Sequence, residues 1–326
     1  MRPAWRKVAS GVFIAAALGF LGAAVYRNLE ELRGFAWEVR PVLLVLSIAA
    51  HIAVLLWGVR VWQLLLRRFA VRIPFRTLAR IWFLSGIARY IPGKVWQFIG
   101  VAHLGSAVGL HPMTGITSLA VQMGMSLLGA GMAAVYFLPL GVVDTLAPAA
   151  GDTAARVVVL LRWAAPLGIL FVHPGVIGAA LALFRRFAKR ATVEWSGGWA
   201  DGIWLLALST VGWVLYGGAF YLFLASLVPL PVSALPAVTA MNALAFIVGY
   251  VIFVAPAGVG PKEGALTALL TALVPLPVAA VLAIAARLWT VAAEVIPALL
   301  LLRGARGSVE PPAGAAPTAV SRAAEQ

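Results

Sequence analysis

Polar and apolar residues do not alternate along this chain. Apolar residues gather instead into long blocks with charged segments between them, and a block of about 20 apolar residues is enough to cross a hydrocarbon core as a helix. Six blocks are uninterrupted: residues 8–26, 41–66, 114–138, 157–183, 201–227 and 277–302. Two further regions, 81–104 and 236–275, are equally apolar but carry helix breakers in their middles. The first reads Arg89-Tyr90-Ile91-Pro92-Gly93-Lys94-Val95-Trp96-Gln97, and the second Val254-Ala255-Pro256-Ala257-Gly258-Val259-Gly260-Pro261-Lys262-Glu263-Gly264. Proline deletes a backbone donor and glycine loosens the helix, so the freed groups must be buried in protein or line a wet cavity. Both stretches are therefore expected to wall one polar site.

Composition agrees with the pattern. Of 326 residues 63% are hydrophobic and 11% charged, and the mean hydropathy is +0.99, where soluble domains carry roughly 25% charged residues. The chain is expected to form one membrane domain over residues 1–303, with residues 304–326, rich in alanine, proline and serine, as a disordered cytoplasmic tail. The block at 8–26 follows Arg2, Arg6 and Lys7 and is longer than a signal peptide requires, which favours an uncleaved first helix. A net charge of +14 raises the question of nucleic acid, but the basic residues sit between apolar runs, where topology and anionic headgroups account for them. No nucleic-acid partner is expected. The absence of cysteine excludes disulfides and thiolate chemistry.

Positive charge in short loops marks the cytoplasmic face. Arg2, Arg6 and Lys7 put the N-terminus inside, and the clusters Arg67, Arg68, Arg72, Arg76, Arg80 and Arg185, Arg186, Lys189, Arg190 mark two inner loops. Arg303 and Arg306 bring the C-terminus inside as well. With those loops fixed, 81–104 must leave and return on the inner face, and 236–275 on the outer. The expectation is an all-α polytopic membrane protein with about six full spans plus two re-entrant helical hairpins in an inverted repeat, eight membrane segments in all. Substrate sites of such repeats lie where the broken helices meet. Local similarity supports the repeat at Phe83, Gly86 and Pro92 against Phe246, Gly249 and Pro256. The alternative is that both regions are ordinary spans.

An ionisable side chain at membrane depth is costly, which makes it a candidate site residue. Arg89 and Lys94 flank the first break, Lys262 and Glu263 close the second, and Trp96 and Gln97 adjoin the first. Helices starting at the breaks would add partial positive charge to the two lysines, a field suited to phosphate; snorkelling to an interface is the competing reading. Arg287 and Glu294 share a helical face, and pairing with Glu263 would offset the burial of Arg287. A structural ion pair and a substrate contact both satisfy that spacing. Arg60 is expected to snorkel. His51, His103, His111 and His173 lack metal-ligand spacing, and Trp5, Trp37, Trp57, Trp62, Trp163, Trp195 and Trp199 suggest an interfacial belt. The glycines at 258, 260 and 264 do not form a nucleotide fingerprint, and there is no carboxylate pair, nucleophile elbow or zinc motif. No enzyme activity, cofactor or metal is expected.

The Ile91-Pro92-Gly93-Lys94 break and the Pro256–Glu263 run resemble the two signature segments of the lysylphosphatidylglycerol synthase transmembrane-region family, a flippase-like module whose length and span count fit the chain from end to end. Ala257 stands where that family usually has glycine, and Pro261 is unusual. The soluble aminoacyl-transferase domain of some members is not expected here. The resemblance implies a plasma-membrane lipid flippase in which Arg89, Lys94, Lys262 and Arg287 hold an anionic phospholipid or lipid-linked headgroup, with room for a homo-oligomer. The alternatives are a component or enzyme of polyprenyl-linked glycan modification, with Glu263 as its acid, and a small-solute transporter.

Overall fold

Proline marks where helices begin. Six helices carry it in their first two positions, where its missing N–H costs nothing because those donors have no intrahelical acceptor. The computed structural model describes residues 29–88, 96–146, 152–187, 194–252 and 260–305. They form twelve α-helices and no strand. In chain order these are α1 (Leu29–Gly34), α2 (Pro41–Arg67), α3 (Phe75–Ile87), α4 (Trp96–Ser106), α5 (Pro112–Phe137), α6 (Leu140–Leu146), α7 (Asp152–Ala164), α8 (Pro174–Phe187), α9 (Trp199–Ala225), α10 (Leu235–Val251), α11 (Pro261–Leu270) and α12 (Leu276–Ala305). Six stretches among the described residues are long and apolar enough to cross a membrane: Pro41–Arg67, Pro112–Phe137, Asp152–Val172, Trp199–Ala225, Val232–Val251 and Leu276–Leu302. The protein is an all-α integral membrane protein. The block at 8–26, both proline-glycine breaks at 91–94 and 256–259, and the tail beyond 305 lie outside the described residues.

Hydrogen bonds fix how the long helices run. At one end of α2, Arg40 N–H donates to Ser226 O at 2.8 Å; at the other, Arg68 pairs with Asp201 at 2.7 Å. Hence α2 and α9 are antiparallel. Trp62 Nε1 donates to Ser118 Oγ at 3.0 Å and Gln122 Nε2 to Gly58 O at 2.9 Å, so α5 also opposes α2. The bundle has an arginine-rich end, at Arg67 and Arg68, and an opposite end.

Two helix pairs enter this frame from its two ends. α3 and α4, 13 and 11 residues long, reach only about 20 and 16 Å at 1.5 Å per residue, short of a hydrocarbon core of about 30 Å. Their base is the arginine-rich end, where Gln63 Nε2 donates to Ile73 O at 2.8 Å. Higher up, Trp82 packs over Gly58 and Trp62, in the half of α2 nearer the arginine-rich end. α10 and α11 come from the opposite end. Ala243 packs with Ala130, Ala133 and Ala134 near the end of α5, whereas Tyr250 Oη lies 3.4 Å from Met123 Sδ, halfway along it. α11 turns back along α10 and joins Phe220, Phe223 and Trp289 in one apolar cluster.

The expected single span at 157–183 is divided. Pro166 has no N–H to give Arg162 O, the chain tightens into a 3-10 helix over Ala165–Val172, and Pro174 starts α8 as a separate element. Tyr136 Oη–H supplies the missing donor, reaching Arg162 O at 3.1 Å. The Arg162 side chain replies by donating to Val135 O at 3.0 Å and to Leu138 O, capping the last turn of α5 with a cation.

Candidate functional site: a polar cavity between the helix pairs

The second break sets a helix start in the middle of the bundle. Gly260 caps α11 at φ 94°, a left-handed backbone that favours glycine, and Pro261 opens the helix. Glu263, in the third position, accepts the Gly260 N–H at 2.7 Å through Oε2, satisfying one donor of the helix end and placing a negative charge at the positive end of the dipole. Its other oxygen, Oε1, faces Arg287 Nη1 of α12 at 3.5 Å. These side chains are 10% and 21% exposed, and each offsets part of the cost of burying the other. Lys262 lies in the same first turn. A Cβ added at Gly249 would come within 2.7 Å of Lys262 Cβ, so the stem of the lysine is packed directly on α10.

Beside this helix start is a cavity of about 280 Å³, walled by Lys262, Arg287, Glu294, His51, Gln97 and Gln122 together with Trp57, Trp82, Trp213 and Tyr216. Eight helices contribute to it, and both entering pairs reach it: Trp82 and Gln97 from α3 and α4, Phe246 and Lys262 from α10 and α11. Aromatic stacking orders the side nearest α12. His51, 2% exposed, lies between Tyr216 and Trp289 at ring-centroid distances of 4.7 and 4.2 Å. Trp289 is anchored in turn by donating to Ser47 Oγ at 3.0 Å. Next to the cavity, Asn242, Lys262, Glu263 and Arg287 border a void of about 10 Å³.

The structure brings together five of the eight sequence-selected residues: Gln97, Lys262, Arg287 and Glu294 in the cavity wall, with Glu263 immediately behind. Arg287 and Glu263 make the expected ion pair, and Arg287 and Glu294 share the expected face. Trp96 does not join them. It is 41% exposed, because neighbouring residues on a helix point about 100° apart and Gln97 takes the inward direction. Arg89 and Lys94 lie outside the described residues. The belt reading fails for Trp57, which donates to Leu208 O at 2.9 Å beside the cavity, and for fully buried Trp62. Sequence reasoning passed over Gln122 and Asn242, and set His51 aside with the other histidines for lack of metal-ligand spacing. The available signal was a lone polar residue in the middle of an apolar run.

The chain matches the family model of the lysylphosphatidylglycerol synthase TM region over residues 7–298, nearly its whole length, and belongs to that family. No curated protein matches it.

Proposed function

We propose that this member of the lysylphosphatidylglycerol synthase transmembrane-region family is a lipid flippase, moving an anionic phospholipid or a related amphiphile between leaflets through the central cavity. The observation that carries the reading is the meeting of two helix pairs, entering from opposite ends, at one cavity that holds Lys262 and Arg287. In this reading the pairs are re-entrant hairpins of an inverted repeat, and the site sits near the bilayer midplane. The arginine-rich end faces the cytoplasm of a plasma membrane, with both termini on that side. Lys262 and the first amides of α11 form the phosphate cradle, with Arg89 and Lys94 contributing from the first break. A cavity of about 280 Å³ has room for a headgroup and not for two acyl chains, which stay in lipid.

The wall also favours a second reading, transfer of a lipid-linked sugar. Tryptophan faces at 57, 82 and 213 and the amides of Gln97 and Gln122 are groups that stack on and hydrogen-bond to polyhydroxyl headgroups. Catalysis on such a substrate is less favoured, since both oxygens of Glu263 are engaged by Gly260 and Arg287.

Vesicles carrying fluorescent phosphatidylglycerol test the proposal. The intact protein is expected to move the lipid across the bilayer, and Lys94→Ala with Lys262→Ala to slow it at least tenfold, the equivalent of about 1.4 kcal/mol. Movement unchanged by the double substitution would remove the site, and preference for a polyprenyl-phosphate sugar over phosphatidylglycerol would select the second reading.

A further inference from the structure

At the arginine-rich end the chain builds a second, separate pocket. α2 stops at Arg67, the turn through Arg68 and Ala70 takes a left-handed backbone at Ala70 (φ 56°), and the chain folds back as an extended segment. Two bonds fix that segment against the helix: Val71 N–H donates to Leu66 O at 3.0 Å, and buried Gln63 donates to Ile73 O at 2.8 Å. The result is an open groove of about 690 Å³ whose lining mixes the polar Gln63, Arg67, Arg68 and Arg72 with the apolar Leu64, Ile73 and Pro74. Asp201 takes up Arg68 at 2.7 Å. Among the described residues Arg67 and Arg72 have no such acidic partner, and both point from fixed backbone into one groove.

We infer that this groove is a binding site for the headgroup of an anionic phospholipid in the leaflet at that end, distinct from the central cavity and not dependent on transport. A membrane lipid fits better than a soluble anion for two reasons. The groove opens at the end of a 27-residue apolar helix, where headgroups lie. Its apolar lining residues, Leu64, Ile73 and Pro74, match the glycerol and upper acyl region that accompanies a lipid phosphate. Two guanidinium forks facing one groove suit the oxygens of a phosphodiester, which accept paired N–H donors. The turn that carries them is also pinned to the 194–198 segment, since Ser196 donates to Arg68 O through both N–H (3.0 Å) and Oγ (2.6 Å).

Native mass spectrometry of the detergent-solubilised full chain tests this, with phosphatidylglycerol and phosphatidylcholine as probes. With the central site disabled by Lys94→Ala/Lys262→Ala in every sample, the expected result is one phosphatidylglycerol adduct forming at roughly tenfold lower lipid concentration than any phosphatidylcholine adduct. It should be lost in Arg67→Gln/Arg72→Gln and retained in Arg76→Gln/Arg80→Gln, which removes the same charge from α3 outside the groove. Arg72→Gln alone, at an exposed position, should weaken it severalfold and covers the case in which the double variant fails to fold. Equal loss in both double variants, no loss in either, or full competition by millimolar inorganic phosphate would overturn the inference.

Discussion

The two entering helix pairs share a plan and differ in what fills it. On each entering arm a small residue faces the returning arm shortly before the break: Ser85 in α3 and Gly249 in α10. In the first pair its partner is Gly100, where an added Cβ would stand 2.9 Å from Ser85 Cβ; in the second it is Lys262, at 2.7 Å from a Cβ on Gly249. The lesson is that the arms must lie equally close, while the residue that meets that demand is free to change. Where one pair spends the position on close contact, the other uses it to seat a cation. This explains why residue-by-residue similarity between the halves is thin although their geometry corresponds.

Breaking the second pair should have the larger effect. Glu263→Ala removes the carboxylate that faces Arg287 and the side-chain cap of α11, and is expected to destabilise the protein by about 2–4 kcal/mol in detergent unfolding. The Glu263→Ala/Arg287→Ala double variant should lose clearly less than the sum of the singles; strict additivity would mean that the pair is not coupled. Gly249→Ala comes next, at about 1–3 kcal/mol, and should lower lipid movement as well because it displaces Lys262. Gly100→Ala should cost about 1 kcal/mol and leave Lys262-dependent movement intact. If Gly100→Ala abolished movement while Gly249→Ala spared it, the division between a packing pair and a charge-bearing pair would be reversed.

Much of this was legible in the chain because membrane insertion writes in large letters. The apolar block at 41–66 is the helix Pro41–Arg67, and that at 114–138 is Pro112–Phe137, since charge and proline end helices in sequence and in space alike. The meeting of Lys262, Glu263, Arg287 and Glu294 followed from the cost of isolated charges in lipid. The division of 157–183 was also present, in Pro166 and Pro174, but hydropathy outweighed it; the hydroxyl of Tyr136, far off in sequence, decides how the interrupted ladder is repaired. His51 and Gln122 were not legible as cavity residues. Each stands alone on an apolar helix, and only packing shows that the face it occupies turns away from lipid.

One carboxylate in this molecule has two employers. Because Glu263 serves the backbone with one oxygen and the guanidinium with the other, an arriving anion can bid for Arg287 without unfastening the start of α11. Loading and unloading the chamber would then leave its scaffolding in place, and the electrostatic exchange could repeat from one cycle to the next without the helix having to be rewound.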